Sequence, residues 1–330
     1  MADPLFGRVA IVGIGLIGSS IARKVRAQGL AGHIAIADAN PDALAEAERL
    51  GLGDSYAASA ADAARGADLI VSCVPVGAAG SVAEEFASVV TPETLITDTG
   101  SVKASVIRQM LPKLPYPARF VAAHPVAGTE NSGPSAGFAE LFENRWCIVT
   151  PTEETDRQAI ELVSAFWTGL GANVETMTPE HHDLVLAVTS HLPHLIAYNI
   201  VGTADDLEDV TQSEVIKFSA GGFRDFTRLA ASDPTMWRDV FLHNREAVIE
   251  ALGRFSEDLS ALQRAIRWGE GDMLFDTFTR TRAIRRGIID AGQEVDAPDF
   301  GRRPATRDGS TAEEKGEGNR RNAGDRKQAG

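Results

Sequence analysis

Between residues 8 and 150, short runs of β-branched residues alternate with Ala-rich stretches of helical length. Strands that alternate with helices of this length predict parallel βαβ units, because each helix carries the chain back to start the next parallel strand. We therefore expect a parallel sheet with helices on both faces. The predicted strands are RVAIV, HIAIAD, DLIVSCVP, TLITDT, RFVAAH and WCIVT, and the predicted helices are LIGSSIARKVRAQG, PDALAEAERLG, VAEEFASVV and KASVIRQML.

The strand pattern stops after ANVETM, at residues 172 to 177. Residues 179–290 then carry apolar positions three and four apart, which predicts helices almost throughout. Pro193 is expected to kink a long helix there by removing one backbone bond near residue 189.

From about residue 292 the chain has hardly an apolar residue, so it cannot bury enough surface to offset chain entropy. The sequence thus predicts three parts: a sheet domain at 1–178, an all-helical domain at 179–292, and a disordered polar tail at 293–330.

A glycine motif, GIGLIG at residues 13–18, follows the first predicted strand and opens the first predicted helix. In that context Gly13 permits a tight turn, Gly15 lets the backbone approach a pyrophosphate, and Gly18 lets helix and strand pack closely. The alternative is that the glycines serve packing alone. Motif and alternation together predict an N-terminal Rossmann-type parallel sheet joined to an all-α C-terminal domain. The predicted cofactor contacts are Gly13, Gly15, Leu16, Ile17, Gly18, Val74 and Pro75.

Asp38 ends the second predicted strand, 20 residues after Gly18. A carboxylate there accepts hydrogen bonds from adenosine ribose hydroxyls and repels a 2′-phosphate. Because no Arg follows at 39 to 41, NAD is favoured over NADP. The alternative for Asp38 is that it caps the next helix.

The formal net charge of −14 and the pI near 5.0 argue against nucleic acid or an anionic membrane as the main partner. Cys73 and Cys147 lie in apolar runs and are predicted to be core residues rather than a disulfide or metal pair, and no metal site is predicted. The N-terminus has no signal-peptide pattern, and no apolar run approaches 18 residues, so a reducing, cytoplasmic location is expected.

Five segments, in order and at sensible spacing, resemble the prephenate dehydrogenase family, which includes arogenate and cyclohexadienyl dehydrogenases. The likeness spans residues 8 to 290. It implies oxidation of prephenate or arogenate with NAD(P) and release of carbon dioxide, giving 4-hydroxyphenylpyruvate or tyrosine. The five segments are GIGLIGSS, DTGSVK, AAHPVAGTENSG, SHLPH and GGFRDFTRLAASDPTMW.

By this resemblance, His124 is the base that accepts the proton of the substrate 4-hydroxyl, and an ordinary imidazole pKa suits that task. We expect it at the carboxyl end of a parallel strand, facing the nicotinamide crevice. Ser101 resembles the serine that hydrogen-bonds the same hydroxyl and the imidazole. The alternatives are a structural histidine and a helix-capping serine.

The resemblance also implies residues that line the substrate site. Ser190 and His194 share one helix face, whereas His191 points elsewhere and His181 and His182 are expected to be solvated. A hydrogen-bonded core pair is the alternative for the first two. Arg228 matches an arginine that pairs with a substrate carboxylate, with Asp225 to orient it and Arg224 as an alternative anchor. The predicted substrate contacts are Arg228, His194, Ser190, Thr129, Glu130 and Trp237.

Glu130 bears on the choice of substrate, because arogenate carries an ammonium where prephenate carries a keto group. A nearby carboxylate favours the ammonium, unless a basic neighbour such as Arg145 engages it. Trp237 is alternatively a core residue.

By the same resemblance, we expect an NAD-dependent enzyme that works on a small molecule, with the helical domain at 179–292 binding the substrate and forming the homodimer. No mutase domain and no regulatory ACT domain are expected, so tyrosine feedback through an ACT domain is not predicted. Two other interpretations stay open: a 3-hydroxyacid dehydrogenase or imine reductase of similar build, and an NAD-binding sensor without turnover. The sequence does not rank prephenate against arogenate.

Overall fold

The structure is a computed structural model of the 330-residue chain, and it describes residues 3–207 and 219–290. The tail predicted at 293–330 therefore lies outside the described residues. Contacts divide the chain into two compact units, one that ends at Ser256 and one that begins at Glu257. The domain boundary predicted at residue 178 stays a prediction.

A six-stranded parallel sheet organises the N-terminal half. Its strands are β1 (Phe6–Val12), β2 (Ala31–Ala37), β3 (Ser55–Ala57), β4 (Leu69–Ser72), β5 (Leu95–Asp98) and β6 (Phe120–Val121). The order β3-β2-β1-β4-β5-β6 places the first strand at the centre, and all neighbouring pairs are parallel. This is the strand order of a doubly wound dinucleotide-binding sheet, and it confirms the predicted fold class.

Helices cover both faces of this sheet and enclose two apolar clusters. The helices are α1 (Leu16–Gln28), α2 (Pro41–Arg49), α3 (Ala60–Ala64), α4 (Ala79–Ala87), α5 (Lys103–Met110) and α6 (Arg157–Gly169). Alternate residues of β1 point to opposite faces. Val9 and Ile11 pack in the cluster that contains Trp167 of α6, whereas Ala10 packs in the cluster that contains Phe86 of α4.

A second, three-stranded sheet consists of β7 (Ala123–Pro125), β8 (Trp146–Val149) and β9 (Asn173–Thr176). Strand β7 runs antiparallel to β8, and β8 runs parallel to β9. The run RFVAAH is therefore divided between two sheets. His124 lies in the middle of β7 and pairs with Ile148, so its expected place at the end of a parallel strand is wrong. It follows the end of β6 by three residues.

In the described ranges 179–207 and 219–290 the chain is helical. The helices are α7 (Pro179–Leu186), α8 (Leu192–Asp206), α9 (Gly221–Thr227), α10 (Pro234–His243), α11 (Arg245–Trp268) and α12 (Gly271–Asp290). A single π-helical turn, Ala187–His191, joins α7 to α8 just before Pro193. The irregularity expected at Pro193 is this π-helical turn. Proline has no N–H to donate to the preceding turn, and a wider turn tolerates that loss.

One helical segment, Pro179–Asp206, has the length and composition of a membrane span, with a mean hydropathy of 1.4. The expectation that no apolar segment reaches this length is wrong by those two criteria. A single such helix is weak support for a span. Asp183 and His191 of this segment are buried and hydrogen-bonded to Lys103 of α5 and to Asn244 between α10 and α11, so we assign the segment to the folded unit.

Both cysteines are free, which agrees with the prediction that they form no disulfide. Cys147 is buried in β8, and Cys73 is half-buried directly after β4. Burial raises the pKa of Cys73 to about 12. The thiol is therefore protonated at neutral pH and is a poor nucleophile.

Candidate active site

The glycine turn joins β1 to α1. Gly13 has a φ of +93°, and a Cβ there would lie 2.6 Å from the carbonyl oxygen of Cys73. A Cβ on Gly18 would lie 2.0 Å from the carbonyl oxygen of Gly13. Both glycines are therefore required by packing. Gly15 differs, because nothing lies within 4 Å of its Cβ position, and it precedes α1 without a side-chain cap.

The turn therefore leaves space at the N-terminus of α1, where backbone N–H groups and the helix dipole favour an anion. Leu16 and Ile17 form the first residues of that helix and are half-buried against the core. Val74 packs beside the turn, since a Cβ on Gly13 would lie 3.3 Å from its Cγ1, and Pro75 follows on the surface. These residues lie at the carboxyl ends of β1 and β4 and at the start of α1, and their contact with a cofactor stays a prediction.

Asp38 lies at the carboxyl end of β2, beside the same turn. Its Oδ2 accepts a hydrogen bond from the Ile14 N–H at 2.8 Å, and its Oδ1 accepts one from the Asn40 N–H at 2.8 Å. The alternative role as helix cap is wrong, because Asn40 caps α2 instead. Asp38 lines a groove with Pro41 and Leu44. A carboxylate keeps further lone pairs beyond two bonds, so the site fits an adenosine ribose.

His124 belongs to a buried chain of polar groups. Its Nδ1 lies 2.8 Å from His182 Nε2, and His182 Nδ1 lies 2.8 Å from Asp183 Oδ1. His182 is 0% exposed, so the expectation that it is solvated is wrong, whereas His181 is exposed as predicted. His124 itself retains 9% exposure.

Asp183 also connects this series of hydrogen-bonded side chains to helix α5. Its Oδ1 accepts from the Lys103 N–H at 2.7 Å, and its Oδ2 accepts from the Ala104 N–H at 3.0 Å. These are two of the N–H groups that a helix leaves unpaired at its start. Ser101 forms no cap for α5, so that alternative is wrong.

A buried ion pair fixes the residue before His124. Lys103 Nζ lies 2.5 Å from Asp98 Oδ2 and donates to the Ala123 carbonyl oxygen at 2.7 Å. Asp98 Oδ1 in turn accepts from the Ala123 N–H at 3.1 Å. Both peptide groups of Ala123 are thereby bonded, and β7 is fastened to the end of β5.

Burial also controls the protonation of these histidines. Desolvation is the main cause that moves the pKa of His124 well below 6.5, and the nearby His182 and Lys103 act in the same direction. Desolvation likewise lowers the pKa of His182, although the hydrogen bond that this ring donates to Asp183 opposes the shift. Both rings are therefore neutral at neutral pH. The expectation of an ordinary pKa for His124 is corrected by its burial.

Ser101 is half-buried in the bend between β5 and α5. Among the hydrogen bonds of the described residues, none joins Ser101 to His124. Its predicted contact with the imidazole stays a prediction, as does its role toward substrate.

Arg228 and Glu130 form an ion pair, with Nη1 and Oε2 2.7 Å apart and both side chains 33% exposed. Glu130 is thus engaged by a basic neighbour, as the alternative to ammonium binding requires, and this neighbour is the predicted substrate arginine. Thr129 lies exposed beside Glu130, and its hydroxyl accepts from the Asn131 N–H at 3.3 Å.

His194 stacks on Trp237, with ring centroids 3.6 Å apart. Its Nδ1 donates to the backbone carbonyl oxygen of Ser190 at 2.9 Å, so the two residues are hydrogen-bonded as in the alternative, but through the Ser190 backbone. Their role toward substrate stays a prediction. Desolvation lowers the pKa of His194, and the charge of Arg228 contributes to that shift. Trp237 is 7% exposed, as its core alternative requires, and it also meets His191 edge-on.

The predicted residues fall into two groups: the glycine turn with Asp38, and the side chains around the Arg228–Glu130 ion pair and the His194–Trp237 stack. A third group contains His124, and the sequence predicted only this member of it. Sequence reasoning assigned no role to Asp98, Lys103, His182 or Asp183. The first two stand in the quoted segment DTGSVK, and the adjacent pair HD at the start of a helix was the available signal for the others.

The sheet order, the glycine turn and the carboxylate after β2 define a dinucleotide-binding protein of the Rossmann class. Two family models match the chain: prephenate dehydrogenase, nucleotide-binding domain, over residues 21–176, and prephenate dehydrogenase, dimerization domain, over residues 178–280. The chain belongs to the prephenate dehydrogenase family.

Individual relatives agree with this assignment. A cyclohexadienyl dehydrogenase from Zymomonas mobilis is 43% identical over 86% of this chain and 97% of its own length. A prephenate dehydrogenase from Bacillus subtilis is 34% identical over 85% of this chain and 76% of its own length. The crystal structure of prephenate dehydrogenase from A. aeolicus in complex with hydroxyphenyl propionate and NAD+ superimposes with a TM-score of 0.80 at 36% identity, covering 86% of this chain and 98% of that chain.

Proposed function

We propose that the chain catalyses the NAD-dependent oxidative decarboxylation of prephenate, arogenate or both in tyrosine biosynthesis. The products are 4-hydroxyphenylpyruvate or tyrosine, with carbon dioxide and NADH. The observation that carries this proposal is a neutral imidazole, His124, held in a buried hydrogen-bonded chain in a member of this family. Family membership favours this function over that of a 3-hydroxyacid dehydrogenase or imine reductase.

The reaction needs a base at the 4-hydroxyl of the substrate ring. When bound, NAD supplies the hydride acceptor. His124 takes the proton of the 4-hydroxyl while the hydride leaves the ring carbon that bears this hydroxyl. Loss of the ring carboxylate as carbon dioxide then completes the aromatic ring. A neutral imidazole is ready for this step, whereas an imidazolium has no free lone pair. We propose that Ser101 bonds the same hydroxyl.

Substrate recognition falls to the residues near Arg228. A planar guanidinium binds a carboxylate through two parallel hydrogen bonds, and it supplies positive charge in a chain with a net charge of −14. His194, fixed by Trp237 and by the Ser190 carbonyl, keeps Nε2 for the substrate. Thr129 and Glu130 complete the proposed site.

The cofactor is held by the glycine turn and by Asp38. We propose NAD rather than NADP, because the Asp38 carboxylate lies beside the glycine turn at the end of β2 and would repel a 2′-phosphate there.

The test is NADH formation by the purified chain, with prephenate and arogenate compared side by side. Turnover of either compound supports the proposal, and the ratio of the two kcat/KM values defines the substrate. NAD binding without turnover of either compound would instead favour an NAD-binding sensor.

A homodimer is the proposed assembly. The dimerization-domain model covers residues 178–280, and helices α11 and α12 expose large apolar side chains. Examples are Ile266 at 68%, Trp268 at 72% and Phe275 at 71% exposure. Apolar patches of this kind mark interfaces. Light scattering should give twice the chain mass of 35.1 kDa, and Phe275→Glu should shift the mass toward the monomer.

The proposed location is the cytoplasm. Both cysteines are free, as expected in a reducing compartment. Fractionation of cells that express the chain, with detection by antibody, tests this location, and recovery in the membrane fraction would contradict it.

A further inference from the structure

The hydrogen bonds that connect His124, His182 and Asp183 all run in one direction. Asp183 accepts two backbone N–H bonds from the start of α5, one on each carboxylate oxygen. An ionised carboxylate can only accept, so the bond to His182 must be donated by Nδ1–H of that ring. Asp183 is itself 6% exposed and held in place by the helix.

The proton on His182 then determines the proton on His124. A neutral imidazole carries one N–H, so His182 Nε2 is left as an acceptor. The group 2.8 Å away is His124 Nδ1, which must donate in turn. Nε2 of His124 is thereby the nitrogen without a proton. The opposite tautomer of His124 would present N–H to the substrate hydroxyl and could not accept its proton.

We infer that His182 and Asp183 are positioning residues that hold His124 in the tautomer whose Nε2 is free to accept the substrate proton. The inference rests on the proposed function only where it names His124 as the base. The same pair orients the ring, because the two imidazoles meet edge to face at 70° with centroids 5.0 Å apart. When His124 gains a proton, its Nδ1–H still donates to His182, so the imidazolium keeps its partner.

The surroundings agree with a neutral pair of rings. Both rings lie in the interior, where desolvation disfavours the charged forms. If His182 were charged, both of its nitrogens would donate, and His124 would be forced into the wrong tautomer. The titratable and charged groups that act on the two rings, besides each other, are Asp98, Lys103, Asp183 and His191.

Two substitutions at His182 separate positioning from packing. His182→Gln retains a donor toward Asp183 and an acceptor toward His124, at a spacing close to that of the imidazole nitrogens. His182→Phe retains the ring shape and removes both polar atoms. His181→Gln, at the exposed neighbour on the same helix, is the matched control.

The first readout is the tautomer of His124, measured by nitrogen NMR on 15N-histidine-labelled protein without substrate. We expect Nδ1–H with a bare Nε2 in the wild type and in His182→Gln, and loss of that fixed tautomer in His182→Phe. A His124 with N–H at Nε2 in the wild type would overturn the inference. Because this measurement needs no turnover, it decides the inference even if neither prephenate nor arogenate reacts.

The second readout compares the effect of each substitution on kcat with its effect on KM. His182→Phe should lower kcat by roughly 100-fold or more, because a wrong tautomer disables a histidine base. Its KM for substrate and its NAD affinity should stay within about twofold, and His182→Gln should recover most of the rate. Full kcat in a folded His182→Phe would contradict the inference. So would equal loss in His182→Gln and His182→Phe, since that marks a structural role.

Discussion

Glu130 Oε2 lies 2.7 Å from Arg228 Nη1, although 98 residues separate the two in the chain. The guanidinium proposed to bind a substrate carboxylate is thus already engaged by a carboxylate of the protein. Both side chains are one-third exposed, so solvent screens their attraction and the pair can exchange. A substrate carboxylate must compete with Glu130, and this competition makes both residues testable.

Arg228→Gln should mainly raise KM. The loss of a charge-paired contact corresponds to roughly 2 to 4 kcal/mol of binding, and kcat should change little because the hydroxyl lies elsewhere on the substrate. Steady-state kinetics with the preferred substrate measure the effect. Arg224→Gln, four residues earlier and exposed, tests the alternative anchor and should retain the wild-type KM if Arg228 is the residue that binds the carboxylate. An unchanged KM in Arg228→Gln would remove this residue from the proposed site.

Glu130→Gln should lower the preference for arogenate over prephenate. When a substrate carboxylate takes Arg228, the displaced Glu130 carboxylate is expected to attract the ammonium of arogenate, and the substitution removes that charge. Loss of the ion pair also frees Arg228 for a substrate carboxylate, which helps both substrates equally because both carry the same carboxylates. The ratio of kcat/KM for arogenate to that for prephenate should therefore fall several-fold. Glu140→Gln, at an exposed position beyond the same loop, should leave the ratio unaltered. A ratio that rises, or does not move, would show that Glu130 takes no part in choosing the substrate.

His124→Asn should remove most of the rate, by about 10² to 10⁴-fold, and leave NAD affinity nearly unchanged. The kinetics report the missing base, and fluorescence titration with NADH reports cofactor binding. Because burial moves the pKa of His124 below 6.5, the acid limb of the wild-type kcat/KM profile should lie below that pH. Loss of cofactor binding together with the rate would mark His124 as structural.

The elements that the sequence predicted well are those governed by local patterns. The alternation of strands and helices predicted the sheet, and the glycine spacing predicted the turn at Gly13, because both depend on neighbours in the chain. The division of RFVAAH between two sheets was not predictable in this way. It depends on Asp98 and Lys103, which bond both peptide groups of Ala123 from another strand and helix.

The same limit explains why His182 was placed in solvent. Its position at the start of a helix predicts exposure, and only the approach of β7 and α5 buries it. Contacts between groups 58 and 80 residues apart leave no periodic trace in a single sequence. The pair Glu130 and Arg228 was missed for the same reason.

Asp38→Asn should weaken NAD binding and relax discrimination against NADP. The amide is nearly isosteric, so an acceptor for the Ile14 N–H is retained while the charge that repels a 2′-phosphate is lost. The ratio of kcat/KM with NAD to that with NADP should fall by about tenfold or more, which equals roughly 1.4 kcal/mol. Asp42→Asn, in the first turn of α2, is the control for a general change of charge. An unaltered cofactor ratio would contradict the assignment of Asp38.

His191 should make the fold lose stability as the pH falls from about 6.5 to 4. Desolvation lowers its pKa from 6.5 to about 4, so between these values the unfolded chain binds a proton that the folded chain does not. The free energy of unfolding therefore falls with pH across this window, by roughly 3 kcal/mol for this group at 1.36 kcal/mol per pKa unit. Urea unfolding at pH 7.5 and 4.5 measures the difference.

His191→Gln isolates this contribution, because Gln does not titrate and its Oε1 can still accept from Asn244 Nδ2, the present partner of His191 Nδ1. The loss of stability between the two pH values should shrink by about 3 kcal/mol relative to the wild type. His124 and His182 act in the same direction in both proteins, so they cancel in the comparison. The substitution His181→Gln, at an exposed position, should leave the loss of stability between the two pH values as in the wild type. An equal loss of stability between the two pH values in the wild type and in His191→Gln would mean that the fold does not keep His191 neutral.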